Sequence, residues 1–220
     1  MGYRYTIDPI ILSAQISPPP HSHILDIGCG CGIMPLILGF RHQQIRITGI
    51  EIQKELAEAA QQNIRENGME ERIHILNADI NTLSQESLKG PVDLIISNPP
   101  YKKANTGRLN PDPGKALARH EISLTIDQLF SAAARILCPN GRFCLIFPWE
   151  REEDLKQAAA KSGFSMEWIS YVHASPKKNP MRIIVSARNN PKEYCRVRPP
   201  IHLSEPDYSP TKTYQTLFNP

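Results

Sequence analysis

No apolar run in the sequence approaches the ~18 residues of a membrane-spanning helix, and the opening Met1-Gly2-Tyr3-Arg4-Tyr5 lacks the apolar core of a secretory signal. Gly2 with Thr6 fits the bare N-myristoylation pattern, which is too short to carry weight. A strong charge bias is also missing. Lysine and arginine total 25 against 22 aspartates and glutamates, and a net charge of +3 names no class of partner by itself. Cysteine is sparse and unpatterned: Cys29, Cys31, Cys138, Cys144 and Cys195 form an odd set, with the first two too close for an ordinary disulfide framework. That usage fits a reducing, cytosolic compartment. Cys29-X-Cys31 has no second cysteine or histidine pair nearby, which argues against a zinc site. Internal repeats are absent, and 220 residues give room for one domain with a sizeable core but not for two ordinary ones.

What is present is an alternation. From residue 23 to 187, short apolar runs take turns with helical periodicity, the pattern of βαβ units around a parallel sheet. Strands are expected at His23–Ile27, Ile45–Ile52, Ile73–Leu76, Val92–Ile96 and Arg142–Phe147. Helices are expected from Ile33 to Phe40, along the stripe Leu56, Ala57, Ala60 and Ile64, and along Ile126, Leu129, Phe130, Ala133 and Leu137. A polar helix near Glu150–Ser162 precedes two last strands, Met166–His173 and Met181–Ala187. Their link, Ala174–Pro180, is too short for a helical crossover, so they should pair antiparallel. The expected fold is α/β: a doubly wound, mostly parallel, seven-stranded sheet with a reversed edge hairpin. The core domain should run over 23–188. It is preceded by a lead-in or lid segment, 1–22, stiffened by Pro18-Pro19-Pro20. A Pro-rich strap, 189–220, follows, with a strand near Cys195–Val197.

One end of this sheet reads as a cofactor site. Asp26 precedes the turn Gly28-Cys29-Gly30-Cys31-Gly32, where glycines let a ligand approach the backbone at a helix N-terminus. Glu51, ending the second strand beside Ile52, is placed to take both hydroxyls of a ribose, and Asp79 can accept from an adenine amino group. A dinucleotide site shares these elements. The spacing is Gly-X-Gly-X-Gly, however, and Ile33 stands where the dinucleotide fingerprint needs its third glycine, which favours S-adenosylmethionine. Asp79 equally suits a plain N-cap before Ile80-Asn81, and Asp26 equally suits pinning the turn.

The fourth strand runs into Asn98-Pro99-Pro100-Tyr101, beyond the carboxyl end where open α/β sheets bind ligands. An exocyclic amine or amide nitrogen has its lone pair delocalised and is a poor nucleophile. The Asn98 side-chain oxygen and the Pro99 carbonyl can hold its two hydrogens and turn the lone pair toward a methyl donor. The prolines stiffen the loop, and Tyr101 offers a face on which a base or amide stacks.

Asp26-Ile27-Gly28-Cys29-Gly30, Glu51, Asp79 and Asn98-Pro99-Pro100-Tyr101 together resemble the amino-methyltransferases of the Rossmann-like class I fold. Within these the chain looks most like the bacterial tRNA(Val) adenine N6-methyltransferases, which modify the adenine just 3′ of the anticodon. Gly2-Tyr3-Arg4-Tyr5-Thr6-Ile7-Asp8, Ala118-Arg119-His120-Glu121 and the 174–188 hairpin add to the likeness, which covers nearly the whole chain. The resemblance implies S-adenosylmethionine held by Asp26, Gly28, Gly30, Gly32, Glu51, Ile52, Asp79 and Asn98, with Asn98 to Tyr101 on the target nitrogen. Members of that family usually have more residues before the segment matching Gly2-Tyr3-Arg4, so the chain is expected to begin late in a cofactor-covering lid.

Charge placement points to RNA. Lys102, Lys103, Arg108, Lys115, Arg119 and His120 face a single acid, Asp112, in their stretch. Lys177, Lys178 and Arg182 form a second basic group in the late hairpin, and phosphate contacts need this arrangement. tRNA is therefore the expected partner, with N6 of an adenine as acceptor. Four alternatives stay open: a protein glutamine N5-methyltransferase, an rRNA guanine N2-methyltransferase, a NAD-binding oxidoreductase and a cofactor-free RNA-binding module.

Overall fold

The computed structural model describes residues 7–88, 90–99, 124–189, 194–207 and 209–217. Strand β1 (His23–Ile27) is buried at all five positions. Such burial requires neighbours on both edges and helices on both faces. Strand β2 (Arg46–Glu51) pairs with it on one side, and β3 (Ile73–Asn77) pairs with β2. On the other side lie β4 (Val92–Ser97) and then β5 (Leu137–Pro148), all parallel. Strand β7 (Pro180–Arg188) is antiparallel both to β5 and to β6 (Ser165–His173). The order β3-β2-β1-β4-β5-β7-β6 is the doubly wound sheet with a reversed edge that the alternation implies.

Alternate residues of the central strands serve two cores. Ile24, Ile96, Ile146 and Ile184 join the cluster that packs against α1 (Asp8–Ala14), α2 (Ile33–Arg41) and α3 (Lys54–Glu66). Leu25, Ile95, Leu145 and Val185 point the other way, to α4 (Ile126–Ile136) and α5 (Glu152–Lys161). There Phe130 and Phe143 meet edge to face with centroids 5.0 Å apart. Helix α4 opens on a capping box: the Thr125 hydroxyl takes the Gln128 backbone N–H while the Gln128 side chain takes that of Thr125.

Three features depart from the reading of the sequence. The lead-in contains α1, whose Ile11 and Leu12 are sealed in the core, with Pro9 in its first turn where a missing N–H costs nothing. Strand β5 starts at Leu137, ahead of the expected Arg142, and Asn140-Gly141, a dipeptide of turn composition, lies inside it as an irregularity. The pairing with β4 jumps from Val92↔Leu137 to Leu94↔Arg142, and Asn140 takes φ 66° to absorb the extra residues. The strap carries β8 (Arg196–Val197), at the strand expected near Cys195–Val197, and adds an unexpected β9 (Ile201–His202), both parallel to β6. Among the described residues the sheet thus has nine strands, where seven are expected for residues 23–188. The strap ends in α6 (Lys212–Leu217), whose Leu217 is buried near α1 and α2.

Candidate active site

Sheet register sets the site. Ile27 is level with Ile50 on one side and Ser97 on the other, and Glu51 is level with Asn77. The loops leaving β1, β2, β3 and β4 therefore start on one edge, where open α/β sheets hold ligands. The Gly28 and Cys29 backbone N–H groups donate to the Ile50 carbonyl at 2.8 and 3.0 Å, which folds the first turn back over β2. Ser97 Oγ donates to the Ile27 carbonyl at 2.8 Å and ties the end of β4 to the end of β1.

Glu51 is buried and joins two loops. Its Oε2 accepts the Gly30 N–H and its Oε1 accepts the Gln53 N–H, each at 2.9 Å. Every carboxylate oxygen keeps lone-pair capacity for a further donor. Beside it Asp26 is fully buried, and neither of its oxygens has a hydrogen-bond partner. Burial, with the Glu51 carboxylate adding to it, pushes the Asp26 carboxyl well above the ordinary carboxylate range. Gly28 stands at φ +76°, and a side chain placed there would meet nothing within 4 Å, so its backbone faces open space. Ile52 is 42 % exposed and offers an apolar surface at the rim.

An orphaned buried carboxyl, a second carboxylate and an open glycine shelf together fit a cationic ligand with a ribose. A pyrophosphate fits poorly, because it would lie against two carboxylates. The residues present thus suit S-adenosylmethionine. Asp26, Gly28, Gly30, Glu51 and Ile52 are brought together here. Gly32 is the left-handed N-cap of α2, and a Cβ on it would lie 3.3 Å from Ala60 Cβ, so its smallness serves helix packing. Asp79 uses Oδ1 to cap Asn81, taking the backbone N–H and the side-chain amide at 2.9 Å each. The Cys29 thiol is pushed up by burial and by Asp26 and Glu51, which makes it a packing group and not a nucleophile.

Asn98 follows β4 directly, half-buried, and Pro99 is buried behind it. Pro100, Tyr101, Lys102, Lys103, Arg108, Lys115, Arg119 and His120 lie outside the described residues. Lys177 and Lys178 are exposed in the turn between β6 and β7. Because β7 opposes both its neighbours, β6 runs parallel to β5, and this turn stands on the same edge as Asn98. The turn is braced, since His173 Nδ1–H donates to the Lys178 carbonyl at 2.8 Å. Arg182 does not join the two lysines as a phosphate ligand. Its Nε donates to Asp8 Oδ2 at 2.9 Å, an ion pair that holds the start of α1 against β7.

Two contributors escape a reading by motif. The Asn77 side-chain amide donates to the Glu51 and Ile52 carbonyls at 2.8 and 3.0 Å and so shapes the rim under Ile52. Its only signal is an amide ending a strand. The pairing of Asp8 with Arg182 has no local sequence signal, because the two lie 174 residues apart. No helix among the described residues is long and apolar enough to cross a membrane.

Comparison with known proteins identifies the family and the fold. The methyltransferase small domain family model matches residues 10–162. A tRNA1(Val) (adenine(37)-N6)-methyltransferase of Porphyromonas gingivalis is 37% identical over 187 residues, 82% of this chain and 72% of that protein. One of the same name from Tolumonas auensis is 33% identical over 204 residues, 92% of this chain and 84% of its own. Among solved structures, a predicted O-methyltransferase of Agrobacterium tumefaciens superposes with a TM-score of 0.75 at 20% identity, covering 96% of this chain and 95% of that one. That likeness concerns the fold. The chain belongs to the methyltransferase small domain family and, within it, to the family of the tRNA1(Val) (adenine(37)-N6)-methyltransferases.

Proposed function

We propose that this enzyme methylates N6 of the adenine just 3′ of the anticodon in tRNA(Val), with the residues at the carboxyl edge of the sheet in the roles set out here. The observation that carries the reading is the register that brings Asn98-Pro99 level with the Gly28 turn and the Glu51 carboxylate. S-adenosylmethionine is the cofactor of this family; when bound it supplies an electrophilic methyl, the N–C bond forming as the C–S bond breaks and the amine's proton passing to solvent.

In this reading the chain does the rest. Glu51, fixed by two backbone N–H groups, accepts from ribose hydroxyls, and Asp26 places negative charge beside a cationic cofactor. Asp79 has Oδ2 to offer an adenine amino group while Oδ1 holds its cap. Asn98 Oδ1 and the Pro99 carbonyl accept the two hydrogens of the target amine, which localises its lone pair and aims it. Pro99, buried, and Ser97, tied to Ile27, hold those acceptors in place before substrate arrives. Tyr101 stacks on the base and repays part of the few kcal/mol spent in unstacking it, at roughly 1–3 kcal/mol per base. Lys102, Lys103, Arg108, Lys115, Arg119 and His120, with Lys177 and Lys178, take phosphates around the loop. The reading carries a cytoplasmic location with it.

The test is methyl transfer from labelled S-adenosylmethionine into unmodified bulk tRNA, followed by digestion to nucleosides. The expected product is N6-methyladenosine. Label found in rRNA guanine or in a protein glutamine, with none in tRNA, would overturn the assignment of substrate.

A further inference from the structure

Residues 194–204 contain no acidic side chain and carry Arg196, Arg198 and His202. The segment climbs the outer edge of β6 in fixed register: Arg196 opposite Trp168, Val197 opposite Ile169, Ile201 opposite Val172 and His202 opposite His173. Backbone bonds lock it at both ends. Arg198 N–H donates to the Ile169 carbonyl at 2.8 Å, Leu203 N–H to that of His173 at 3.0 Å, and Ser204 N–H to that of Ala174 at 3.0 Å. Ser204 Oγ adds a bond to Ala174 at 2.7 Å. The strap is thereby rigidly continuous with the turn that carries Lys177 and Lys178.

Its outward groups suit a polyanion with flat faces. Tyr194 is 79 % exposed and Arg196 is exposed. The Arg198 guanidinium lies 3.6 Å from the Trp168 ring centroid, which fixes its plane and leaves its N–H fork oriented. Edge strands are commonly blunted with charge of either sign or with lysine. A run with positive charge only, beside an exposed tyrosine and a stacked arginine, is instead the composition of a nucleic-acid contact.

We propose that the strap 194–204 is an RNA-backbone contact strip that takes the helical stem adjoining the target loop. The inference rests on the tRNA reading of the active site and deepens it. Dimensions select the stem over the loop. From β4 to β6 is three strand steps, roughly 14 Å at ~4.8 Å each, so the Lys177-Lys178 turn reaches phosphates close to a base held at Asn98. From His202, level with His173, back to Arg196, level with Trp168, is five residues of β6, roughly 17 Å at ~3.3 Å per residue. A phosphate that far below the rim belongs to the duplex behind the loop.

The experiment compares wild type with Arg196→Gln/Arg198→Gln in binding a full tRNA transcript and a single-stranded loop oligonucleotide at several salt concentrations. For the tRNA, the slope of log Kd against log salt should fall by about one per lost phosphate contact, roughly two in all, with weaker binding at every salt. The oligonucleotide should bind as it does to wild type. Affinity for S-adenosylhomocysteine reports an intact fold, and Arg196→Gln alone, at an exposed side chain, serves if Arg198 proves needed for folding. An unchanged slope for tRNA, or equal loss on both RNAs, overturns the strip while a wild-type enzyme that still methylates tRNA keeps the active-site reading. A wild-type enzyme that binds no tRNA sinks both.

Discussion

Replacing Asp26 by asparagine changes the pH dependence of stability in a calculable way. Asp26 is fully buried, without partners, and next to Glu51, so in the ligand-free protein its carboxyl holds a proton well above the ordinary range. The unfolded chain releases that proton near pH ~4. Between that pH and the raised folded value, the native state binds more protons than the unfolded state. Stability is then full below the unfolded pKa and declines as pH rises, by up to ~1.4 kcal/mol per pH unit for one proton. For a chain of this size ~1 kcal/mol moves Tm by roughly 2–4 °C, so the slope is at most about 3–6 °C per unit. The substituted amide cannot ionise. Other carboxylates contribute equally to both proteins and cancel in the difference. Melting curves of ligand-free wild type and Asp26→Asn from pH 4 to 8 should therefore diverge, the variant gaining on wild type as pH rises. A cationic cofactor favours ionised Asp26, so wild-type affinity for S-adenosylmethionine should increase with pH while that of the variant stays flat and weak. Parallel melting curves across the range would refute the protonated-carboxyl argument.

Other changes give sharper local effects. Asn98→Ala should lower kcat by ~10²–10³, the scale of losing one oriented polar group in a transition state, read in single-turnover methylation; a near-normal rate removes Asn98 from the chemistry. Asp8→Ala removes the carboxylate from the Arg182 guanidinium, which keeps its bond to the Met181 carbonyl, and should cost about 1.5–3 kcal/mol in denaturant unfolding; a loss under ~0.5 kcal/mol would mean that water replaces the carboxylate. Ser97→Ala removes the hydroxyl bond to the Ile27 carbonyl, for roughly 0.5–1.5 kcal/mol, and should lower kcat more than it raises KM for RNA. A purely thermal effect with normal kcat would separate the β1–β4 tie from active-site positioning.

Much of this site was readable because local chemistry and strand pattern agree. Gly28 through Gly32, Glu51 and Asn98-Pro99 each sit where a buried strand stops, and parallel strands of similar length must stop on one edge. What stayed hidden depends on contacts far along the chain. Helix α1 is seven residues long, too short for a periodicity to show, and its Asp8 is explained only by Arg182. Strand β9 has only two residues and exists because β6 offers an open edge. Asn140-Gly141 has the composition of a turn, and only the pairing of β4 with β5 turns it into a bulge. Arg182 looked like a phosphate ligand by charge and sequence proximity. Sequence cannot show that a buried carboxylate claims it.

The most direct test of the account uses two tRNA(Val) transcripts that differ only at position 37, the position in the name shared by the relatives. One has adenine there and the other guanine, and each is incubated with enzyme and labelled S-adenosylmethionine. The account predicts stoichiometric label as N6-methyladenosine in the first and none in the second. Equal labelling of both, or none in either from an enzyme that binds S-adenosylhomocysteine, would contradict it.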